Sequence, residues 1–167
     1  MAQLIVARQP IGLAGLVLVA PSPPSAMIMP AQAREILAGA YASREAVEAA
    51  IDNALTAKPL SAEDREQVIE DSLRGAPPAK IAWPRSTSLE DIAAQVGDIN
   101  VPTLVVAGEL DRVDPPIRLQ SDLLPRIPQA VMRVLPATGH LSMLESPDAV
   151  AALIAEFCHN LSNPRGR

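Results

Sequence analysis

The clearest regularity in this 167-residue chain is a set of short apolar runs, each closed by turn residues, alternating with stretches whose apolar positions recur every three or four residues. GLVLVA (Gly15 to Ala20), Thr103 to Ala107 and Ala130 to Leu135 are the runs. Rich in branched side chains and bounded by Pro, Gly and Asp, they predict strands, the first buried on both faces of a parallel sheet. Met1 to Arg8 predicts the tail of a helix ended by Pro10, because a residue before proline is pushed out of the helical region. Pro115 to Leu124 and Pro147 to Asn160 predict helices after the second and third strands. In the last, Val150, Leu153, Ile154, Phe157 and Leu161 share one face, Ser146 is placed to cap, Pro147 takes the first helical position and Asp148 favours the positive end.

Between the first two strands the period is helical throughout. Ser43 is placed to cap a helix with Val47, Ala50, Ile51, Ala54 and Leu55 on one face, and Ser61 another with Val68, Ile69 and Leu73 facing inward. Pro77, Pro78 and Pro84 interrupt the pattern around Trp83, and Ser88 starts a third helix through Ile92 and Val96. Some sixty residues of helix are too many for an ordinary connection. Strand-helix alternation predicts an α/β fold of about three parallel strands, with residues 1–24 and 98–161 forming the core, 25–97 a helical insertion with its return helix, and 162–167 a loose tail.

Composition narrows the function. Hydrophobic residues make up 49% and charged residues 20%, which fits an ordinary soluble globule rather than a disordered chain. A chain of this length can bury roughly 70% of its unfolded surface, and with only Tyr41, Trp83 and Phe157 as aromatics, the core must be aliphatic. A net charge of −5 with no Lys/Arg cluster excludes the electrostatic footprint of nucleic acid or anionic membrane binding. The apolar run after Arg8 mimics a signal peptide, but Pro10 and Gly12 fit a helix end and buried strand better, and no run reaches membrane-span length. Cys158 is alone, which points to a reducing, cytoplasmic setting and a small core hydrophobe. Its predicted place on a helix, with nothing to depress its pKa, makes it a poor nucleophile.

Two residues carry the chemistry. Asp111 ends AGELD just past the second strand, and His140 follows Gly139 just past the third. Ligands on parallel sheets bind beyond the carboxyl ends of the strands, so the topology brings both residues to one rim. An acid followed by a Gly-His pair is the back half of a relay in the order nucleophile, acid, base. Asp114 is expected to cap the following helix, and Glu109 is the weaker competitor for the acid. His159, late in the final helix, fits a surface residue favoured by the helix dipole. No Gly-x-Ser-x-Gly turn occurs; Ser22 and Ser25 sit in the proline-rich loop after the first strand without the sharp turn a nucleophile needs. Two separated histidines with no carboxylate at ligand spacing, and no glycine-rich phosphate loop, predict neither a metal nor a cofactor.

VPTLVVAGELDRVDP resembles the strand and acid loop of the α/β-hydrolase family, and LPATGHLSMLESPDAVAALIAEF resembles its histidine loop and final helix. GLAGLVLVAPSPP resembles the strand after the nucleophile's helix, and MAQLIVARQP the rest of that helix. The resemblance covers essentially the whole chain but only about the later half of the family's domain. It implies a partial α/β-hydrolase fold with an inserted helical cap, and a hydrolase of carboxylic esters or related acyl compounds with Asp111 as acid and His140 as base. It also implies a truncated fragment lacking the nucleophile and oxyanion hole, from an internal start or a broken reading frame, and inactive alone. The partner expected is a small-molecule substrate. The alternatives are a non-catalytic binding or regulatory module on the same fold, or a shorter enzyme using Ser22. The first strand would present an open apolar edge, so self-association is expected.

Overall fold

The computed structural model describes residues 1–163; residues 164–167 of the expected loose tail lie outside the described residues, and Ser162 belongs to the final helix. Three strands, β1 (Leu16–Val19), β2 (Thr103–Gly108) and β3 (Ala130–Leu135), form one parallel sheet in the order β1-β2-β3. The helices are α1 (Ala2–Ala7), α2 (Ala31–Gly39), α3 (Arg44–Ala50), α4 (Ala62–Arg74), α5 (Pro77–Arg85), α6 (Ala93–Val96), α7 (Pro116–Asp122), α8 (Ser142–Glu145) and α9 (Pro147–Ser162). The fold is therefore α/β, with parallel strands flanked by helices.

The period-two geometry of a strand explains how this sheet makes two cores from one sequence run. On one face Val105 and Ala107 pack with Leu16, Leu18, Val6 of α1, Val96 of α6, and Leu119 and Leu123 at the end of α7. On the other, Leu104, Val106 and Leu135 meet Val150, Leu153, Ile154 and Phe157 of α9. Every residue of β2 is buried, as its uninterrupted apolar run requires. Among the described residues β1 pairs with β2 and with no other strand. Leu16 N–H donates to Pro102 O just before β2 and Ala20 N–H to Val106 O within it, and the alternation turns the N–H and C=O of Val17 and Val19 toward the unpaired side. Ile5, Ile11 and Leu13, just before this strand, are exposed.

All of α2 to α6 lies between β1 and β2 in sequence. Part of it has its own core, in which Val47 and Ile51 pack against Ile69 of α4 with Tyr41, Leu55, Val68 and Leu73 around them. Ser43 and Ser61 cap α3 and α4 as the sequence indicates, accepting from Ala46 N and Asp64 N. Helix α3 runs directly into a π-helical turn, Ile51–Leu55, closed by Thr56 N–H donating to Ile51 O.

Several local expectations are corrected. Pro77 and Pro78 open α5, where their missing N–H groups cost nothing, and Pro84 falls in its last turn. Ser88 caps no helix; it is buried in a 3₁₀ turn, its hydroxyl shared between Pro84 O and Arg34. Ser146 flanks α9 without a capping bond, because its hydroxyl is engaged with Thr138 Oγ1 at 2.9 Å. Cys158 is exposed: α9 buries only one stripe against the sheet, and that stripe is taken by Val150, Leu153, Ile154 and Phe157.

Gly108, the last residue of β2, fixes how closely the loop after β3 can approach. A Cβ there would stand 2.2 Å from Gly139 O and 2.4 Å from Thr138 O, both backbone atoms. Gly108→Ala is therefore expected to destabilise the fold by about 2–3 kcal/mol through overpacking against a loop that cannot yield. Urea unfolding of the two proteins measures this, and a change under about 0.5 kcal/mol, the size of an ordinary surface substitution, would contradict it.

Candidate active site

Both residues singled out by the sequence sit where loops leave the carboxyl ends of adjacent strands. After Gly108 the chain turns sharply, with Asp111 N–H donating to Gly108 O at 3.2 Å. The Asp111 carboxylate then folds back on its own loop, Oδ1 accepting from Val113 N at 2.8 Å and Asp114 N at 2.9 Å. Such side-chain-to-backbone closure is what Asp does well in tight turns. It leaves Oδ2 free for one partner, and that partner is His140 Nδ1 at 2.9 Å.

The histidine loop is laced to the acid loop by backbone. Leu110 N–H donates to Thr138 O, Glu109 N–H to Leu135 O, and Ala137 N–H to Glu109 Oε2, each at 2.9 Å. Ala137 holds a left-handed φ of 49°, which a non-glycine residue adopts only when its surroundings dictate it. Gly139 permits the closest approach, since a Cβ on it would meet Ala57 N at 2.7 Å and Thr56 C at 2.9 Å.

Burial and charge set the protonation of the pair. The Asp111 side chain is 1% exposed and that of His140 22%. Burial by itself pushes the His140 imidazole down, but its hydrogen bond to Asp111 and the charges of Asp111 and Asp114 outweigh it and hold its pKa above the ordinary value. A carboxylate can only accept, so in the neutral ring Nδ1 carries the proton and Nε2 is left as the basic nitrogen. This is an arrangement that can take a proton at Nε2 while a buried anion stabilises the cation formed.

The other candidates fall elsewhere. Asp114 does not cap α7: its carboxylate accepts from Ser22 Oγ at 3.1 Å, lies 3.9 Å from Arg118 and leaves Oδ1 buried without a partner. Pro115 and Pro116 remove the amides nearest to it that a cap would serve. Burial pushes its carboxyl up, against the opposing pull of Ser22, His140 and Arg118. Glu109 is exposed and serves the backbone of Ala137. Ser25 is held by Asp122 at 2.8 Å, and neither Ser22 nor Ser25 is hydrogen-bonded to His140. His159 is exposed near the end of α9. No group of three metal-ligating side chains occurs among the described residues. A cavity of about 600 Å³ lies at the other end of the sheet, where Thr103, Val131 and Arg133 face Leu153 and Phe157, and it shares no residue with the acid-histidine pair.

Glu145 is the residue the sequence did not single out. It is buried, and its carboxylate accepts from Ala57 N at 2.7 Å, Lys58 N at 3.2 Å and Gly139 N at 2.8 Å. The only signal in the sequence is an acid five residues after His140.

The chain is a three-stranded parallel sheet flanked by helices, with a hydrogen-bonded Asp-His pair at the carboxyl ends of its strands. The chain belongs to the alpha/beta hydrolase family, whose model matches residues 2–153. No curated protein matches its sequence. Among solved structures, it is similar to a bacterial membrane phospholipase A, at 21% identity and a TM-score of 0.76, over 97% of this chain and 54% of that one. It is also similar to an esterase from Exiguobacterium antarcticum, at 16% identity and a TM-score of 0.75, over 86% of this chain and 57% of that one. A proline iminopeptidase from Mycobacterium smegmatis matches at 23% identity and a TM-score of 0.67, over 96% of this chain and 61% of that one. The chain thus spans little more than half the length of these structures. No helix among the described residues is long and apolar enough to cross a membrane.

The raised His140 pKa has a definite sign in stability. Folding favours protonated His140, so its contribution is complete below the ordinary value of 6.5 and is lost as pH rises through the folded value. Asp114, also raised, contributes in the same sense in a lower window that opens near its ordinary value of 3.8. By NMR, His140 is expected to titrate above 6.5 in the wild type and lower in Asp111→Asn. The stability difference between the two proteins should be largest below that pH and shrink above the folded pKa. Equal titration midpoints would contradict the assignment.

Proposed function

We propose that Asp111 and His140 are the acid and base of a Ser-His-Asp relay in a hydrolase of carboxylic esters or related small acyl compounds. The observation that carries this reading is the 2.9 Å Asp111–His140 hydrogen bond through Nδ1, formed by loops at the carboxyl ends of neighbouring strands. In the relay, His140 Nε2 takes the proton of a serine hydroxyl as its oxygen attacks the acyl carbon. The imidazolium, stabilised by Asp111, returns that proton to the departing alcohol. A water molecule then repeats the sequence on the acyl-enzyme, with His140 again as base and the serine as leaving group. Phospholipase, esterase and iminopeptidase names among the similar structures share acyl transfer to water and differ in the acyl compound, so they support the reaction class rather than one substrate.

The serine is not read from this chain. It has no Gly-x-Ser-x-Gly turn, and the hydroxyls of Ser22 and Ser25 are committed to Asp114 and Asp122. In this reading, nucleophile and oxyanion hole come from polypeptide outside these 167 residues, residues 25–97 form the cap over the site, and the chain alone is inactive. The single free thiol fits a cytoplasmic setting.

The test is to join to this chain the in-frame coding sequence that precedes Met1 and assay p-nitrophenyl butyrate hydrolysis. The joined protein is expected to turn over, with a loss of about 10³–10⁴-fold in His140→Ala, while the 167-residue chain shows no His140-dependent turnover. Turnover by the 167-residue chain that disappears in Ser22→Ala would replace this reading with a Ser22 enzyme. Absence of any upstream Gly-x-Ser-x-Gly would favour a non-catalytic binding module.

The open side of β1 carries a second expectation. Unpaired amides and carbonyls at Val17 and Val19, flanked by exposed Ile11 and Leu13, are a template for another strand, so the isolated chain should self-associate. Sedimentation velocity over a range of concentrations is expected to show dimers or larger species; a single monomeric species throughout would contradict it.

A further inference from the structure

We propose that Glu145 is a positioning residue through which the helical insertion sets the place of the His140 imidazole. Helix α3 ends in the π-helical turn Ile51–Leu55. A helix end leaves carbonyls without intrahelical partners. Here two of them are taken by the loops of the site: Asn53 O accepts from Arg112 of the acid loop at 3.0 Å, and Leu55 O accepts from Leu141 N, next to His140, at 2.9 Å. The insertion therefore touches both loops that carry the pair.

Glu145 completes that grip from below. Its Oε1 accepts the amides of Ala57 and Lys58, immediately after the turn, and its Oε2 accepts the amide of Gly139, immediately before His140. One buried carboxylate thus holds two chain segments more than eighty residues apart in sequence. Three backbone N–H donors satisfy its charge, and charge-assisted bonds of this kind are short and directional. Gly139 has no Cβ, which lets Thr56 and Ala57 lie directly against it, and Glu145 Oε2 would stand 2.8 Å from a Cβ placed there. Leu141 on the other side of His140 is tied to the same turn. His140 is consequently flanked on both sides by residues whose amides are anchored to the insertion, and a shift of Thr56 to Lys58 is carried to the imidazole through Glu145.

This inference rests on reading His140 as the base, yet its test reads the imidazole directly and needs no substrate. Glu145→Gln keeps the shape but presents an NH₂ group to one of the donating amides. In that variant His140 is expected to titrate closer to the ordinary value than in the wild type, because its bond to Asp111 loosens, and the Gly139 amide should exchange with solvent at least about tenfold faster. Ile69→Val, which weakens the insertion's own core without touching the loop, should leave the His140 titration unchanged. Should Glu145→Gln not fold, hydrogen exchange in the wild type decides. The Gly139 and Ala57 amides donate to the two oxygens of one carboxylate and are expected to be protected to the same degree. Unchanged His140 titration in folded Glu145→Gln, or Gly139 and Ala57 exchanging with clearly different protection, would overturn the proposal. Loss of ester hydrolysis in the joined protein would not bear on it.

Discussion

The site depends on how closely two loops leaving adjacent parallel strands can approach each other, and that distance is set at Gly108. With no side chain there, the backbone of Thr138 and Gly139 lies directly over the end of β2. Leu110 then bonds to Thr138, and Asp111 comes within 2.9 Å of His140. None of this needs a long-range search by flexible side chains. The parallel ladder from Thr103–Ala130 to Gly108–Leu135 fixes the register, and the register fixes which residues follow the strand ends. The acid is preorganised in addition, because two amides of its own loop occupy one oxygen and leave the other for the imidazole. An imidazole whose carboxylate partner is already oriented loses little reorganisation free energy if it becomes charged.

A second level of organisation lies in the segment between β1 and β2, part of which packs on itself. Val47, Ile51 and Ile69 give it an apolar cluster separate from the two faces of the sheet. Its attachment to the site is polar and narrow, consisting of Asn53, Leu55, Ala57 and Lys58 bonded to Arg112, Leu141 and Glu145. The segment meets the site loops where its π-helical turn ends, through the free carbonyls of Asn53 and Leu55.

Much of this was legible in the sequence because it is local. β3 is found where the apolar run ends at Pro136, β2 where its run ends at Gly108, and the caps at Ser43 and Ser61 where a serine precedes a helical stripe. Asp111 and His140 were legible because a parallel α/β pattern places post-strand loops on one rim. What failed was context that only packing supplies. Pro77 and Pro78 interrupt a periodic pattern on paper but begin a helix in space, and Cys158 occupies a stripe that α9 does not bury. Asp114 was a cap by its position before Pro115, yet its carboxylate turns to Ser22, a partner 92 residues away in sequence. Glu145 was missed for the same reason: its partners are backbone amides 87 and 88 residues away, and no side-chain pattern marks a backbone donor.

The central claim is that Asp111 holds His140 in one tautomer, leaving Nε2 as the free basic nitrogen. Nitrogen-15 chemical shifts of the His140 imidazole, recorded above its folded pKa on selectively labelled protein, test this most directly. The account predicts a protonated, pyrrole-type Nδ1 and an unprotonated, pyridine-type Nε2. The reverse assignment, or averaged shifts characteristic of an imidazole exchanging freely between tautomers, would contradict it.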